Sequence, residues 1–430
     1  MGNRYDSSGA NPSWPVHPPE DPIRPMPHLR TLKRCLPLAL LALAACGGAD
    51  DPASQRGKAG DGPIVIGAAW PWEARKNVLY AQGMDLAVDE INAAGGVLGR
   101  PLKIQRADDH EDVDQGRMIA QEFGKNPEVV AVIGHLQSYV TVPAAAVYDL
   151  SGLVLVSATA TTAELTNKGY RRVFRTIFTE ADMGRQLADY AVKGGHKRMV
   201  IYYSRDEYGR GLANAFEEQA VAAGGTILDR RSYDPNVPAN PLTASQAVAA
   251  WSQLGPEAVF IAGQDEPAAL LALELRRKGM EVPIIGGDAL ATPTYVQRAG
   301  QAAEGTVIAS PFHRGAPDPE VRRFTAAFQA KYGREPDVGA ALAYDATRLL
   351  AHAIAQAGAA DPAKVAAALH AVRGWRGVTG PMTFDDAGNL VDMPVRKVVV
   401  RGGEFTYLED ATPSTAAAPA AQAAQAAPRP

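Results

Sequence analysis

The chain has 430 residues, 46% of them hydrophobic, with a formal net charge of −4 and a pI near 6.1. That length exceeds what one hydrophobic core usually organises, so more than one domain is expected. Basic residues are scattered rather than striped and no zinc-finger spacing occurs, which excludes a nucleic-acid-binding surface; the only two cysteines, Cys35 and Cys46, exclude a disulfide framework.

From the amino terminus, Arg30, Lys33 and Arg34 precede an apolar or small run, Leu36 to Ala45, that ends at Cys46. A basic flank, a short apolar stretch and small residues at the cut are the parts of a secretory signal. The run is too short to span a bilayer as a helix. A buried core helix is the alternative. It fits poorly with the Pro-rich tract before the run and the polar, Gly-rich stretch after it. Leu43-Ala44-Ala45-Cys46 looks like the lipobox of a bacterial lipoprotein. The expectation is a mature chain that begins at a lipid-bearing Cys46, anchored to a membrane in the periplasm or at the cell surface. Residues 1–45 are then an upstream extension and signal, with Met26 the natural start of the signal. Residues 46–62 read as a flexible tether. The tail 411–430, nearly all Ala, Pro, Gln and Thr, reads as disordered.

Between these ends, short β-branched runs alternate with longer amphipathic ones. Residues 63–69 read as a strand, and 79–93 as a helix stopped by Gly95-Gly96. A strand at 102–106, a helix at 114–123, a strand at 129–133, a helix at 140–151 and a strand at 154–157 follow. The pattern restarts with strands at 198–203, 226–233, 258–262, 282–286 and 306–310, separated by helices at 209–223, 244–254 and 266–278. Helices are expected at 318–332, 340–357 and 361–371. A hairpin-like end is expected from 382–384 and 395–401. This is an α/β chain of two doubly wound lobes, whose ligand belongs outside the carboxyl ends of the strands.

The strand ends carry the candidate chemistry. The first lobe offers Gly134-His135-Leu136-Gln137-Ser138-Tyr139, with Ser138 near a helix amino terminus, where free amides favour an anion such as a carboxylate. A second hydroxyl-rich turn runs from Ser157 through Thr159, Ala160, Thr161 and Thr162 to Glu164. The bland reading of both turns is helix capping. In the second lobe, Tyr208 follows Ser204-Arg205-Asp206-Glu207, Gln264-Asp265-Glu266 follows Ala262, and Asp288 follows Gly286-Gly287. A carboxylate there suits an ammonium, with a helix cap or a solvated loop acid as the alternative. No nucleophile elbow, phosphate loop, dinucleotide fingerprint or zinc-protease spacing is present. No pair of histidines has metal spacing, and His135 reads as structural. Neither an enzyme nor a cofactor is expected.

The order of these segments resembles the leucine/isoleucine/valine-binding protein family, the type I periplasmic binding proteins of ABC importers. The resemblance rests on Ala87-Val88-Asp89-Glu90-Ile91-Asn92-Ala93-Ala94-Gly95-Gly96, on Gly134-His135-Leu136 with Ser138, and on Ala160-Thr161 with Glu164 to Tyr170. Tyr208-Gly209-Arg210-Gly211-Leu212-Ala213 and Ala343-Tyr344-Asp345-Ala346 complete it. It implies two lobes joined by three crossovers, residues 63–180 with 312–381 and residues 181–311 with 382–410. It further implies a monomer that binds one small amino-acid-like ligand and delivers it to an ABC permease and ATPase. By the same resemblance, Ser138 and Thr161 hold the ligand's carboxylate, and the Thr159 carbonyl and Thr161 hydroxyl receive its ammonium. Asp288 is the acidic ammonium partner, with Tyr208 closing over the ligand. Ala160 lies within this turn. Gln264, Trp70, Trp72 and Lys76 stand where the family usually places other residue types, so they reshape the side-chain pocket. Glu111 and Gln137 occupy positions where some members join two cysteines. A ligand sensor of the same fold, serving a receptor or an operon, is the alternative function.

Overall fold

The computed structural model describes residues 62–408, so Cys46, residues 1–45 and the tail 411–430 lie outside the described residues. β1 (Ile64–Trp70) is buried along its whole length, as a strand covered on both faces must be. It runs parallel to both β2 (Leu102–Asp108) and β3 (Val129–Gly134). With β4 (Val154–Ser157) and β5 (Val173–Arg175) these form a five-stranded parallel sheet, order β2-β1-β3-β4-β5. The crossovers contain α1 (Tyr80–Ala93), α2 (Val113–Lys125) and α3 (Ser138–Leu150). The start of α2 is set by Asp112, whose side chain accepts from the Gln115 amide at 2.8 Å.

The chain then enters a second lobe through α4 (Glu180–Lys193), which packs along α5 (Glu207–Ala222). β6 (Arg198–Ser204), β7 (Thr226–Tyr233), β8 (Ala258–Ala262), β9 (Ile284–Gly286) and β10 (Val307–Ser310) run parallel. They are linked through α5, α6 (Pro241–Trp251), α7 (Asp265–Arg277) and α8 (Pro293–Ala299). The chain returns to the first lobe with α9 (Pro319–Tyr332), α10 (Val338–Ala357) and α11 (Pro362–His370). Helix α10 lies along α1, so close that a Cβ on Gly83 would sit 2.0 Å from the Ala340 carbonyl oxygen. Only a glycine permits that approach. After the short pair β11 (Trp375–Arg376) and β12 (Pro381–Met382), the chain crosses a third time. It ends as β13 (Arg396–Arg401) and β14 (Glu404–Leu408), which complete a seven-stranded sheet of order β14-β13-β10-β9-β8-β6-β7.

Three expectations are corrected. The hairpin at the end is β13 with β14, turned by Gly402-Gly403 at φ 59° and 78°. The segment 382–384 pairs elsewhere, through β12 with β11. The span between 157 and 198 holds β5 and a full helix, α4, whose N-cap Thr179 accepts from the Asp182 amide at 3.0 Å. Its apolar face, Met183, Leu187, Ala188 and Ala191, is fully buried, yet frequent charged residues dilute the helical periodicity in sequence. Finally, the first strand runs one residue beyond the expected 63–69: Trp70 is the last residue of β1 and stacks on Tyr80 at 3.7 Å.

Candidate functional site

The two sheets present their carboxyl ends to a shared cavity of ≈ 140 Å³. Of the residues expected to touch the ligand, Trp70, Ser138 and Thr159 from the first lobe and Tyr208, Gln264 and Asp288 from the second line it. Much of the remaining wall is apolar, including Val78, Leu136, Ile177, Val338 and Leu342.

Ser138 is the first residue of α3, and the residue before it makes no side-chain cap. The leading amides of a helix have no partner within it and carry partial positive charge. Ser138 is 6% exposed, and no other described residue bonds its hydroxyl. The turn behind it is locked. Thr159 Oγ1 donates to the carbonyls of His135 and Leu136, both at 2.9 Å, joining the two hydroxyl-bearing turns. His135 is fully buried, with Nδ1 2.7 Å from Asp109 Oδ2 and Nε2 3.2 Å from the Tyr148 hydroxyl. Its role is structural.

Ala160 and Thr161 do not line the cavity. Both lie behind its wall, each 1% exposed. The Ala160 and Thr162 carbonyls accept from Arg175 Nη1 at 3.1 and 2.7 Å, and the Thr161 carbonyl accepts from the Glu180 amide at 2.9 Å. The Thr161 hydroxyl is buried without a hydrogen-bond partner. The expected direct contact of Thr161 with the cavity is therefore absent from this arrangement. Arg175 and the Glu180 amide hold the peptide groups of this turn.

Across the cavity, the Tyr208 hydroxyl donates to Asp288 Oδ1 at 2.9 Å. Enclosure pushes the Asp288 carboxyl up to about 6, a rise that the hydrogen bond from Tyr208 only partly offsets. Burial, with Asp288 beside it, pushes the Tyr208 phenol up as well. The second lobe thus holds a carboxylate short of positive charge, facing a first-lobe turn short of negative charge.

Trp72 and Lys76 do not line the cavity; Trp72 instead donates to the Ala107 carbonyl at 3.0 Å, and Lys76 is exposed. Arg75 from the same loop, and Asp265 from the second lobe, line the cavity instead. Arg75 carried no signal beyond its position in a loop after a strand, and Asp265 was legible only as one of three polar residues after β8. Glu111 and Gln137 are joined by a hydrogen bond from Gln137 Nε2 to Glu111 Oε1 at 3.1 Å. Among the described residues no cluster of three or more His, Cys, Asp or Glu could hold a metal ion, and no helix is long and apolar enough to cross a membrane.

The family described as "Periplasmic binding protein" matches residues 45–404. An amino acid binding protein of Pseudomonas aeruginosa is 30% identical over 345 residues, 76% of this chain and 87% of that one. Among solved structures, an ABC transporter substrate-binding protein from Desulfitobacterium hafniense in complex with Leu is 39% identical with a TM-score of 0.73; the match covers 80% of this chain and all of that one, 100%. The branched-chain amino acid transporter substrate-binding protein LivJ from Streptococcus pneumoniae, in complex with isoleucine, is 26% identical with a TM-score of 0.71; here 80% of this chain and 97% of the other are covered. With two parallel sheets opposed across one cleft and a family match over nearly the whole fold, the chain belongs to the type I periplasmic binding proteins, in the leucine/isoleucine/valine-binding family, and is a binding protein rather than an enzyme.

Proposed function

We propose that this protein captures a small zwitterionic amino acid in the inter-lobe cavity and delivers it to an ABC permease, tethered to the membrane by lipid on Cys46. The observation that carries the reading is the opposition of Ser138, at the head of α3, to Asp288 with Tyr208 across one cavity. A carboxylate is favoured at the helix head and an ammonium at the acid. Thr159 lines the same cavity, and its carbonyl is the proposed second acceptor for the ammonium. Thr161 and Ala160 support that turn from behind, and a ligand that draws the turn forward supplies the Thr161 hydroxyl with its missing partner.

The guest is small and mainly apolar. The ≈ 140 Å³ space, close to the roughly 150 Å³ that holds a benzene-sized molecule, must take head group and side chain together, which favours valine, leucine or isoleucine over an amino acid carrying an indole. The two relatives solved with Leu and with isoleucine support this class. Gln264 in the wall admits a short polar side chain such as threonine. Transport follows from lobe closure about a hinge in the three crossovers, the last of which follows the segment around Phe384 to Asn389 that packs on β5 of the first lobe. A monomer suffices, because one chain holds both halves of the cavity.

Calorimetric titration with leucine, isoleucine, valine, threonine, alanine and tryptophan tests the reading. Binding is expected for the aliphatic members and not for tryptophan. Absence of heat and of thermal shift across the whole panel overturns it. Ser138→Ala is expected to weaken binding about tenfold, the loss of one hydrogen bond to a charged group, with the melting temperature of the empty protein unchanged.

A further inference from the structure

Beside the inner cavity lies a second, outer chamber of ≈ 510 Å³. Four residues line both: Arg75 and Gln137 from the first lobe, Gln264 and Asp265 from the second. They form the partition between the two spaces, and the only charges in it are Arg75 and Asp265. Each charge is held by its own lobe. Arg75 Nε donates to Glu111 Oε1 at 2.6 Å, and that oxygen also accepts from Gln137 at 3.1 Å. Asp265 Oδ2 accepts from Thr292 Oγ1 at 2.8 Å and its Oδ1 from the Glu266 amide at 2.9 Å. Between the lobes, Arg75 Nη1 stands 4.0 Å from Asp265 Oδ2. Asn77 Nδ2 reaches Thr294 Oγ1 at 3.3 Å along the same rim.

We infer that Arg75 and Asp265 are the gate of the cleft, a cross-lobe ion pair that seals the inner cavity from the outer chamber and sets how long the ligand stays. The inference rests on the amino-acid-binding reading and adds to it the residues that control exit. Arg75 and Asp265 act as positioning residues: they hold the lobes together rather than gripping the zwitterionic head. The design is reversible because neither charge is orphaned when the lobes part. Arg75 keeps Glu111, and Asp265 keeps Thr292. A pair buried without such support would cost too much to break, and a fully exposed one would contribute almost nothing. Here the side chains are 25% and 7% exposed, between those limits. Glu111 anchors the gate arginine, and Gln137 holds the same Glu111 oxygen.

The test is a double-mutant cycle on the full mature chain, Arg75→Gln, Asp265→Asn and the pair together, with Arg75→Lys as the charge-preserving control. Dissociation of radiolabelled leucine is followed by chase, and the radius of gyration without ligand by X-ray scattering. Each single variant is expected to release leucine about fivefold faster, with little change in association rate. The double variant should be no worse than either single, because both remove the same interaction. Arg75→Lys should stay near wild type. Raising salt toward 1 M, where the Debye length is about 3 Å, should speed release from wild type and not from the variants, a response a merely structural role does not predict. The ligand-free single variants should have a larger radius of gyration. Additive effects in the cycle, or unchanged release and radius in both singles, overturn the gate. If wild type fails to bind leucine while the singles still expand, the leucine assignment falls and the gate stands. If leucine binds normally and neither release nor radius responds to the variants, the gate falls alone.

Discussion

Asp288→Asn is expected to weaken amino-acid binding by about thirtyfold or more and, at the same time, to raise the melting temperature of the empty protein at neutral pH. The two effects have one origin. The carboxyl of Asp288 is enclosed, with Tyr208 as its side-chain partner at 2.9 Å and a pKa pushed up to about 6. In the empty protein the ionised form is therefore disfavoured by its surroundings. For an acid whose folded pKa is raised, the folded state binds protons more readily than the unfolded state, so stability falls as pH rises from the unfolded value near 4 through about 6. At pH 7.5 that penalty is fully present, on the order of 1–3 kcal/mol. Asparagine keeps the shape and an oxygen for Tyr208 to donate to, and it removes the penalty. With ligand bound the sign reverses. An ammonium at Asp288 restores the missing charge, and deleting one partner of an enclosed charge pair costs about 2–5 kcal/mol.

The pH profile separates these contributions. Wild-type affinity should fall below about pH 6, by at most about tenfold per unit, because Asp288 must lose a proton before it can hold an ammonium. The variant should lack this dependence. The empty wild type should melt higher at pH 5 than at pH 7.5. Part of that difference survives in the variant, because burial also pushes the Glu180 carboxyl up to about 7. Scanning calorimetry and titration across pH 5 to 8 measure both. A lower melting temperature with unchanged affinity would show that Asp288 serves only its own lobe, as the acceptor for the Tyr208 hydroxyl.

Much of the architecture is legible in the sequence because burial on both faces of a parallel sheet leaves uninterrupted runs such as Val129 to Ile133, and the helices between them keep an apolar stripe. The lines that fail are those where this rule is weak. Strand β5 has three residues, too few for a period, and the face of α4 is diluted by Glu180, Asp182, Arg185 and Asp189. Within the site, chain position selects the right turns but not the side chains that point inward. Position places Ser138, Tyr208 and Asp288 at strand ends. It does not separate Arg75 from Lys76, or Thr159 from Thr161, because in an irregular turn the direction of each side chain depends on which peptide groups are held from behind. Those holds come from far along the chain. Arg75 is aimed by Glu111, and the Thr159 turn by Arg175 and Glu180. Likewise, Asp265 has meaning for Arg75 only once two sheets built from separate parts of the chain face each other.

Arg175→Met should lower the unfolding free energy by about 3–5 kcal/mol and abolish binding. Arg175 is fully buried at the end of β5, where desolvation lowers its pKa to about 10 despite nearby acids, so it remains a cation at neutral pH. Its guanidinium donates to the carbonyls of Ala160 and Thr162, to Thr166 Oγ1 at 2.8 Å and to Asn389 Oδ1 at 2.8 Å. One planar fork thus ties the Thr159 turn to the segment that returns before the third crossover. Replacing a buried ion by an apolar residue is mild when its partners leave with it. Here they stay, and two carbonyls and a hydroxyl lose their donor inside the protein, about 1–3 kcal/mol for each left unsatisfied. Arg175→Lys keeps the charge but not the fork, so it should recover only part of the loss. Urea unfolding with leucine titration measures both consequences. A midpoint for Arg175→Met within experimental error of wild type would mean that the turn holds its shape without the fork. The rigid placement of Ser138 and Thr159 at the cavity would then have to come from the His135–Asp109 pair and the Thr159 hydrogen bonds alone.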